Sequence, residues 1–205
     1  AVPLSDTVEI DKGKILTYDS YVGYSWFPVL AGVTTNKYNN ENFRKNSEGR
    51  MEYYSDGELS SYFGIDVSSH QGDINWDAVR SDGVEFAILR VGFRGYAAEG
   101  NIKADEKFIQ NYEGAHNAGI DVGVYFYSQA VSVEEALEEA DFVLEQLGGR
   151  TLEYPIVFDW EPVDTYDPDV TPRTEDVMPG TLTLCASAFC ERVKDAGYEG
   201  MVYTN

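Results

Sequence analysis

From Phe63 onward the chain alternates short apolar runs with amphipathic stretches, and this alternation constrains its fold more than any other feature. The runs Phe63 to Val67, Phe86 to Val91, Val122 to Tyr127, Tyr154 to Phe158 and Met201 to Tyr203 have strand length. Helical patterns fill the gaps at 75–82, 105–118, 132–147 and 181–196. A strand that reaches the next through a helix runs parallel to it, because parallel pairs need a crossover. Such strands are buried on both faces, with helices outside. The class is therefore α/β, as an open sheet or a barrel. Ser132 and Glu135 open the third helix as a capping box, and Gly148-Gly149 closes it. Glu134, Glu135, Glu138 and Glu139 flank its apolar face of Val133, Ala136, Leu137 and Ala140, so they read as its solvated side.

Residues 1–62 read differently. Aromatic runs (Tyr18 to Tyr24, Trp26-Phe27, Arg50 to Tyr54) are separated by Asn, Ser and Gly, and Asp56-Gly57 is a turn signal. This predicts a small β-rich extension with a hairpin near 49–61, too small to bury much core alone. No signal peptide stands at the start, although Ala1-Val2-Pro3 equally fits what remains after removal of one. The 15 basic and 36 acidic side chains give a formal charge of −21, most of it after residue 62. That field repels nucleic-acid backbones and excludes nucleic acid as a partner. No stretch approaches the roughly 18 apolar residues of a membrane span. Cys185 and Cys190 lie five residues apart on one helical pattern, which separates their Cα atoms by more than about 7 Å and predicts free thiols.

The chemistry sits at strand ends. Tyr154 to Pro162 is an apolar run closing in Asp159-Trp160-Glu161. Side chains two apart on a strand share a face, so Asp159 and Glu161 point together and Trp160 points away. Neighbouring carboxylates repel each other's charge, which raises the pKa of at least one and keeps it protonated near neutral pH. An Asp-x-Glu pair also occurs at strand ends as a helix cap or an Arg partner. Asp66 ends the first strand in Gly64-Ile65-Asp66-Val67-Ser68-Ser69-His70-Gln71-Gly72 and would lie at the same end of the sheet; alternatively it orients its loop by bonding Ser68 and Ser69. His70 and His116 invite a metal reading, but His116 falls mid-helix, which leaves one imidazole and implies no metal or other cofactor. Tyr125, Tyr127 and Trp160 have the rings to stack on sugars, while aromatic residues in strands are commonly core.

These motifs together resemble the glycoside hydrolase family 25 lysozymes, also called Chalaropsis-type muramidases. Gly64 to Gly72 with Asp73-Ile74-Asn75-Trp76 resembles that family's opening, Val124 to Tyr127 its third strand, and Phe158 to Glu161 its Asp-x-Glu strand. The resemblance covers about 63–205. It implies a parallel-strand, irregular TIM-like β/α barrel, apparently truncated after the fifth strand at Met201 to Tyr203, as the catalytic domain 63–205 behind the extension 1–62. It implies Glu161 as general acid, Asp159 as its partner and Asp66 as a further active-site carboxylate, with His70, Tyr125, Tyr127 and Tyr203 on the substrate side. The implied reaction is hydrolysis of the β-1,4 bond between N-acetylmuramic acid and N-acetylglucosamine in bacterial peptidoglycan, outside the cell or at its wall. The rival from another class is a non-catalytic wall-binding or adhesion module that uses the aromatic extension. A chitinase-like hydrolase also ends a strand in Asp-Trp-Glu, but its longer acidic strand motif is missing from Tyr154 to Phe158.

Overall fold

The computed structural model describes residues 10–11, 13–19, 23–28, 32, 37–163 and 171–203. Ala1-Val2-Pro3, Ser20 to Val22 of the first aromatic run and the last two residues lie outside them. The chain divides into two compact units, one ending at Ser61 and one beginning at Tyr62.

Among its described residues the first unit holds two antiparallel three-stranded sheets. In one, β1 (Ile10–Asp11), β2 (Lys14–Asp19) and β3 (Gly23–Pro28) pair in sequence order; in the other, β4 (Phe43–Lys45), β5 (Met51–Ser55) and β6 (Glu58–Leu59) do the same. The expected hairpin is β5–β6, turned at Asp56 (φ 52°) and Gly57 (φ 86°), the left-handed pair of a type I′ turn. Tyr38, Phe43 and Tyr53 meet edge to face at centroid distances of 4.8–6.3 Å and form a small apolar nucleus.

The second unit is the alternating part of the sequence. Its elements are β7 (Gly64–Val67), α1 (Trp76–Ser81), β8 (Phe86–Arg94), β9 (Ile102–Ala104), α2 (Phe108–Asn117), β10 (Asp121–Ser128), α3 (Val133–Leu147), β11 (Ile156–Trp160), α4 (Pro179–Asp195) and β12 (Gly200–Tyr203). Strands β7, β8, β10, β11 and β12 lie side by side in chain order, all parallel, and β9 pairs antiparallel with the end of β8. Among the described residues the sheet is open, with β7 and β12 as edges, and no closed barrel is found.

Burial separates the two faces. Ala87, Leu89, Val91, Val122, Val124, Phe126, Ile156 and Phe158 pack with Trp76 of α1, Phe108 and Tyr112 of α2, Ala136, Ala140 and Val143 of α3, and Cys185, Phe189 and Val193 of α4. Each large side chain fully buried there contributes about 1.5–3 kcal/mol. The other face carries Ile88, Arg90, Tyr125, Tyr127, Val157, Asp159, Met201 and Tyr203, which line a cleft. Burial on both faces, expected from the parallel pattern, thus holds fully for the helix face only.

Two local expectations change. Ser132 Oγ accepts from Glu135 N–H, but the Glu135 carboxylate takes the Val131 N–H at 2.9 Å rather than that of Ser132. A reciprocal capping box forms instead at Ser68 and Gln71. The acidic side of α3 is also not solvated throughout: Glu139 is fully buried and bonded to Arg94, and Glu138 bonds Arg94 as well.

The glycine that opens the first motif has a packing reason. A Cβ on Gly64 would lie 2.1 Å from Cζ of Phe86, whose ring is held by stacking on Tyr154 at 4.4 Å. Gly64→Ala is expected to destabilise by about 1–3 kcal/mol, the usual cost of overpacking, read as a lower denaturant midpoint with unchanged slope. An unchanged midpoint would show that the ring gives way freely.

Candidate active site

Side-chain alternation delivers the carboxylates to one place. On β7 the outward residues Ile65 and Val67 pack on the helix side, which turns Asp66 to the cleft; on β11 Ile156 and Phe158 do the same for Val157 and Asp159. The cleft, about 470 Å³, is lined by Asp66, Ser68, His70, Gln71, Ile88, Arg90, Tyr125, Tyr127, Val157, Asp159, Glu161, Met201 and Tyr203. All seven residues singled out in the sequence therefore reach one cavity at the carboxyl ends of the parallel strands. Asp159 pairs with Tyr127 on one side and Tyr203 on the other. Trp160 faces away, packing against the core and donating Nε1–H to the carbonyl of Ala130 at 3.3 Å.

Asp66 is exposed, Glu161 partly buried and Asp159 buried. Burial, the Glu161 charge and the Asp66 charge push the Asp159 carboxyl up to about 7, and its hydrogen bond with Glu161 adds to the rise. Its Oδ1 is buried and has no partner among the described residues. Burial, with Asp66, Asp159 and Asp105 outweighing Arg90, likewise pushes the Tyr125 hydroxyl up to about 12, so it remains a neutral donor. The Tyr203 hydroxyl is raised by burial and then by Glu161, Asp159 and Asp66.

A charged cluster missing from the sequence reading shapes one wall. Arg90 donates from Nε to Asp105 at 2.8 Å and from Nη2 to Ser69 Oγ at 3.1 Å. Asp105 also accepts the backbone N–H of Ser69 and Lys107, both at 2.9 Å. Although burial opposes it, these donors hold the Asp105 carboxyl below its usual range, so it stays ionised. Asp105, not Asp66, therefore fixes the loop bearing His70, and Asp66 is left to the cleft. The available signal is Arg90 itself, a cation inside an apolar strand run that demands a buried partner.

His116 stacks on Tyr112 in α2 at 6.0 Å. Among the described residues no three His, Cys, Asp or Glu side chains gather as a metal site would need. Cys185 and Cys190 are free. No helix among the described residues is long and apolar enough to cross a membrane.

Known proteins resemble this chain in sequence and in fold. Residues 65–205 match the family described as Glycosyl hydrolases family 25. Lysozyme M1 of Streptomyces globisporus is 37% identical over 92 residues, covering 45% of this chain and 29% of that protein. The autolytic lysozyme of Clostridium acetobutylicum is 27% identical over 137 residues, covering 64% and 40%. The modular autolysin LytC from Streptococcus pneumoniae, solved with a synthetic peptidoglycan ligand, superposes with a TM-score of 0.60 at 21% identity, over 95% of this chain and 43% of its own. The chain thus spans less than half the length of each of these relatives. With more than half of its residues inside the matched region, and with the cleft carboxylates Asp66, Asp159 and Glu161 inside it too, the chain belongs to the glycosyl hydrolases of family 25.

Proposed function

We propose that this chain is a muramidase, hydrolysing the β-1,4 bond between N-acetylmuramic acid and N-acetylglucosamine in bacterial peptidoglycan, at the wall or outside the cell. Residues 63–205 are its catalytic domain and 1–62 its β-rich extension. The five strands, in chain order across the sheet, are an arc of an irregular TIM-like β/α barrel.

One observation carries the reading: Asp159 and Glu161 share a cleft with Asp66, and the buried Asp159 holds a proton up to about 7. Asp159 is hydrogen-bonded to Glu161, so that proton can pass between them. Glu161, the more open of the two, delivers it to the glycosidic oxygen as the bond to the anomeric carbon breaks. The substrate's own acetamido oxygen bonds that carbon, and Asp159, now ionised, steadies the positive charge. Water then attacks the same carbon and returns a proton to Glu161, which releases the acetamido oxygen. Asp66 adds negative potential; Tyr125 donates a hydrogen bond from a hydroxyl that stays neutral. His70, Tyr127 and Tyr203 line the sugar path.

A turbidity assay on purified bacterial cell wall tests this. Lysis is expected, with a rate that falls as pH rises through about 7, where Asp159 loses its proton. Asp159→Asn should lower the rate severely and remove that alkaline limb, because the group that holds its proton up to about 7 is gone. A wall that is bound but not thinned would favour the non-catalytic module.

A further inference from the structure

The register of β10 and β11 ends at Ser128 opposite Trp160, so the backbone of Glu161 lies one residue past the last rung of the ladder. Its carbonyl still has a donor: the side-chain amide of Gln129, Nε2 to oxygen 2.9 Å. The same nitrogen donates to the Ser128 carbonyl at 2.8 Å, and the Gln129 Oε1 accepts the Thr174 hydroxyl at 3.2 Å. Gln129 is fully buried and Thr174 nearly so. Both carbonyls only accept, which fixes the NH₂ toward them and the oxygen toward Thr174. A glutamine this deeply buried, one residue past the carboxyl end of β10, is costly unless all of its bonds are made.

We propose, on the reading that Glu161 is the proton donor, that Gln129 is a positioning residue: its amide extends the ladder by one rung and sets the distance between the Glu161 and Asp159 carboxyls. Two tethers flank the acid. The Trp160 indole on Ala130 holds the outward side of the strand end. The Gln129 amide holds the carbonyl of Glu161, and through Thr174 it ties that residue to the segment after Pro172. Without the amide the strand ends at Trp160, and Glu161 turns freely about its own backbone.

The test uses the whole chain, with wall-lysis kinetics, a carboxyl-carbon NMR titration of the cleft acids and circular dichroism. Gln129→Met keeps the volume and removes both donors, and Gln129→Glu keeps the shape but presents acceptors to two carbonyls. Either is expected to lower kcat by about 10- to 100-fold with KM unchanged, the scale expected for misplacing a reacting group by about 1 Å. The titration of Asp159 should move away from about 7. Thr174→Val leaves both carbonyl bonds in place and should give the same changes at a few-fold scale, which keeps the test open if the Gln129 variants do not fold. A folded Gln129→Met with wild-type kcat and an unmoved titration overturns the proposal, as does a folded Thr174→Val with both unmoved when Gln129→Met does not fold. A wild-type chain that leaves the wall intact, while Gln129→Met still moves the titration, sinks the muramidase reading and leaves the positioning role standing.

Discussion

Glu161→Gln is expected to fold as the wild type does and to lose wall hydrolysis by about 10²- to 10⁴-fold, the contribution assigned to a positioned general acid. Glutamine keeps the size of the side chain and most of its hydrogen bonding, and the Glu161 carbonyl keeps its bond from Gln129, since the backbone is unchanged. What disappears is the transferable proton. The substitution also removes the charge that, after burial, most raises the Asp159 carboxyl. The NMR titration of Asp159 should therefore fall below about 7 in the variant while circular dichroism stays the same. Lysis rates near wild type in a folded Glu161→Gln protein would assign the proton donor to another residue, and the mechanism proposed for this cleft would have to be abandoned.

Asp159 and Glu161 are legible in the sequence because period-2 alternation on an apolar strand leaves little choice of face: once Ile156 and Phe158 enter the helix layer, the acids share the other side. Asp66 is legible for the same reason on β7. The errors fall where alternation breaks. The strand run beginning at Phe86 reads as ending at Val91, yet β8 continues to Arg94. Its register with β10 slips by one residue, Tyr125 facing Arg90 but Phe126 facing Gly92. That bulge reverses the parity. Arg90, on the cleft side before it, and Arg94, four residues later, would share a face on a regular strand; after the slip Arg94 enters the helix layer. Gly92 lets the slip fit, because a Cβ there would meet the Lys103 carbonyl at 2.5 Å and the Phe142 ring at 2.8 Å. With Arg94 turned outward, Glu139 on α3 has a buried partner, and a glutamate that periodicity assigns to solvent becomes core. No window of local sequence contains both residues, so helical periodicity alone cannot find the pair.

That buried pair sets the largest expected effect on stability. Arg94 donates from Nε to Glu139 at 2.7 Å, from Nη2 to Glu138 at 2.7 Å and from Nη1 to the Gly100 carbonyl at 2.7 Å; Ser128 Oγ donates to the other Glu139 oxygen at 2.6 Å. Burial nevertheless outweighs these donors and pushes the Glu139 carboxyl up to about 7. Arg94→Met fills the space but leaves Glu139 buried with Ser128 alone, and breaking a buried ion pair from one side costs about 3–5 kcal/mol. The cost depends on pH with a definite sign. A carboxyl whose folded pKa lies above its unfolded value binds more protons when folded, so stability falls as pH rises through the interval between the two. In the wild type that interval runs from 4.5 to about 7. Without the Arg94 charge it extends upward, so urea midpoints should show a larger gap between wild type and Arg94→Met at pH 8 than at pH 5. Adding Glu139→Gln should recover most of the loss at pH 8, because an amide needs no counter-charge. A gap below about 1 kcal/mol that does not vary with pH would place Arg94 among the solvent-screened surface pairs, whose typical worth is that small, and would contradict its burial beneath α3.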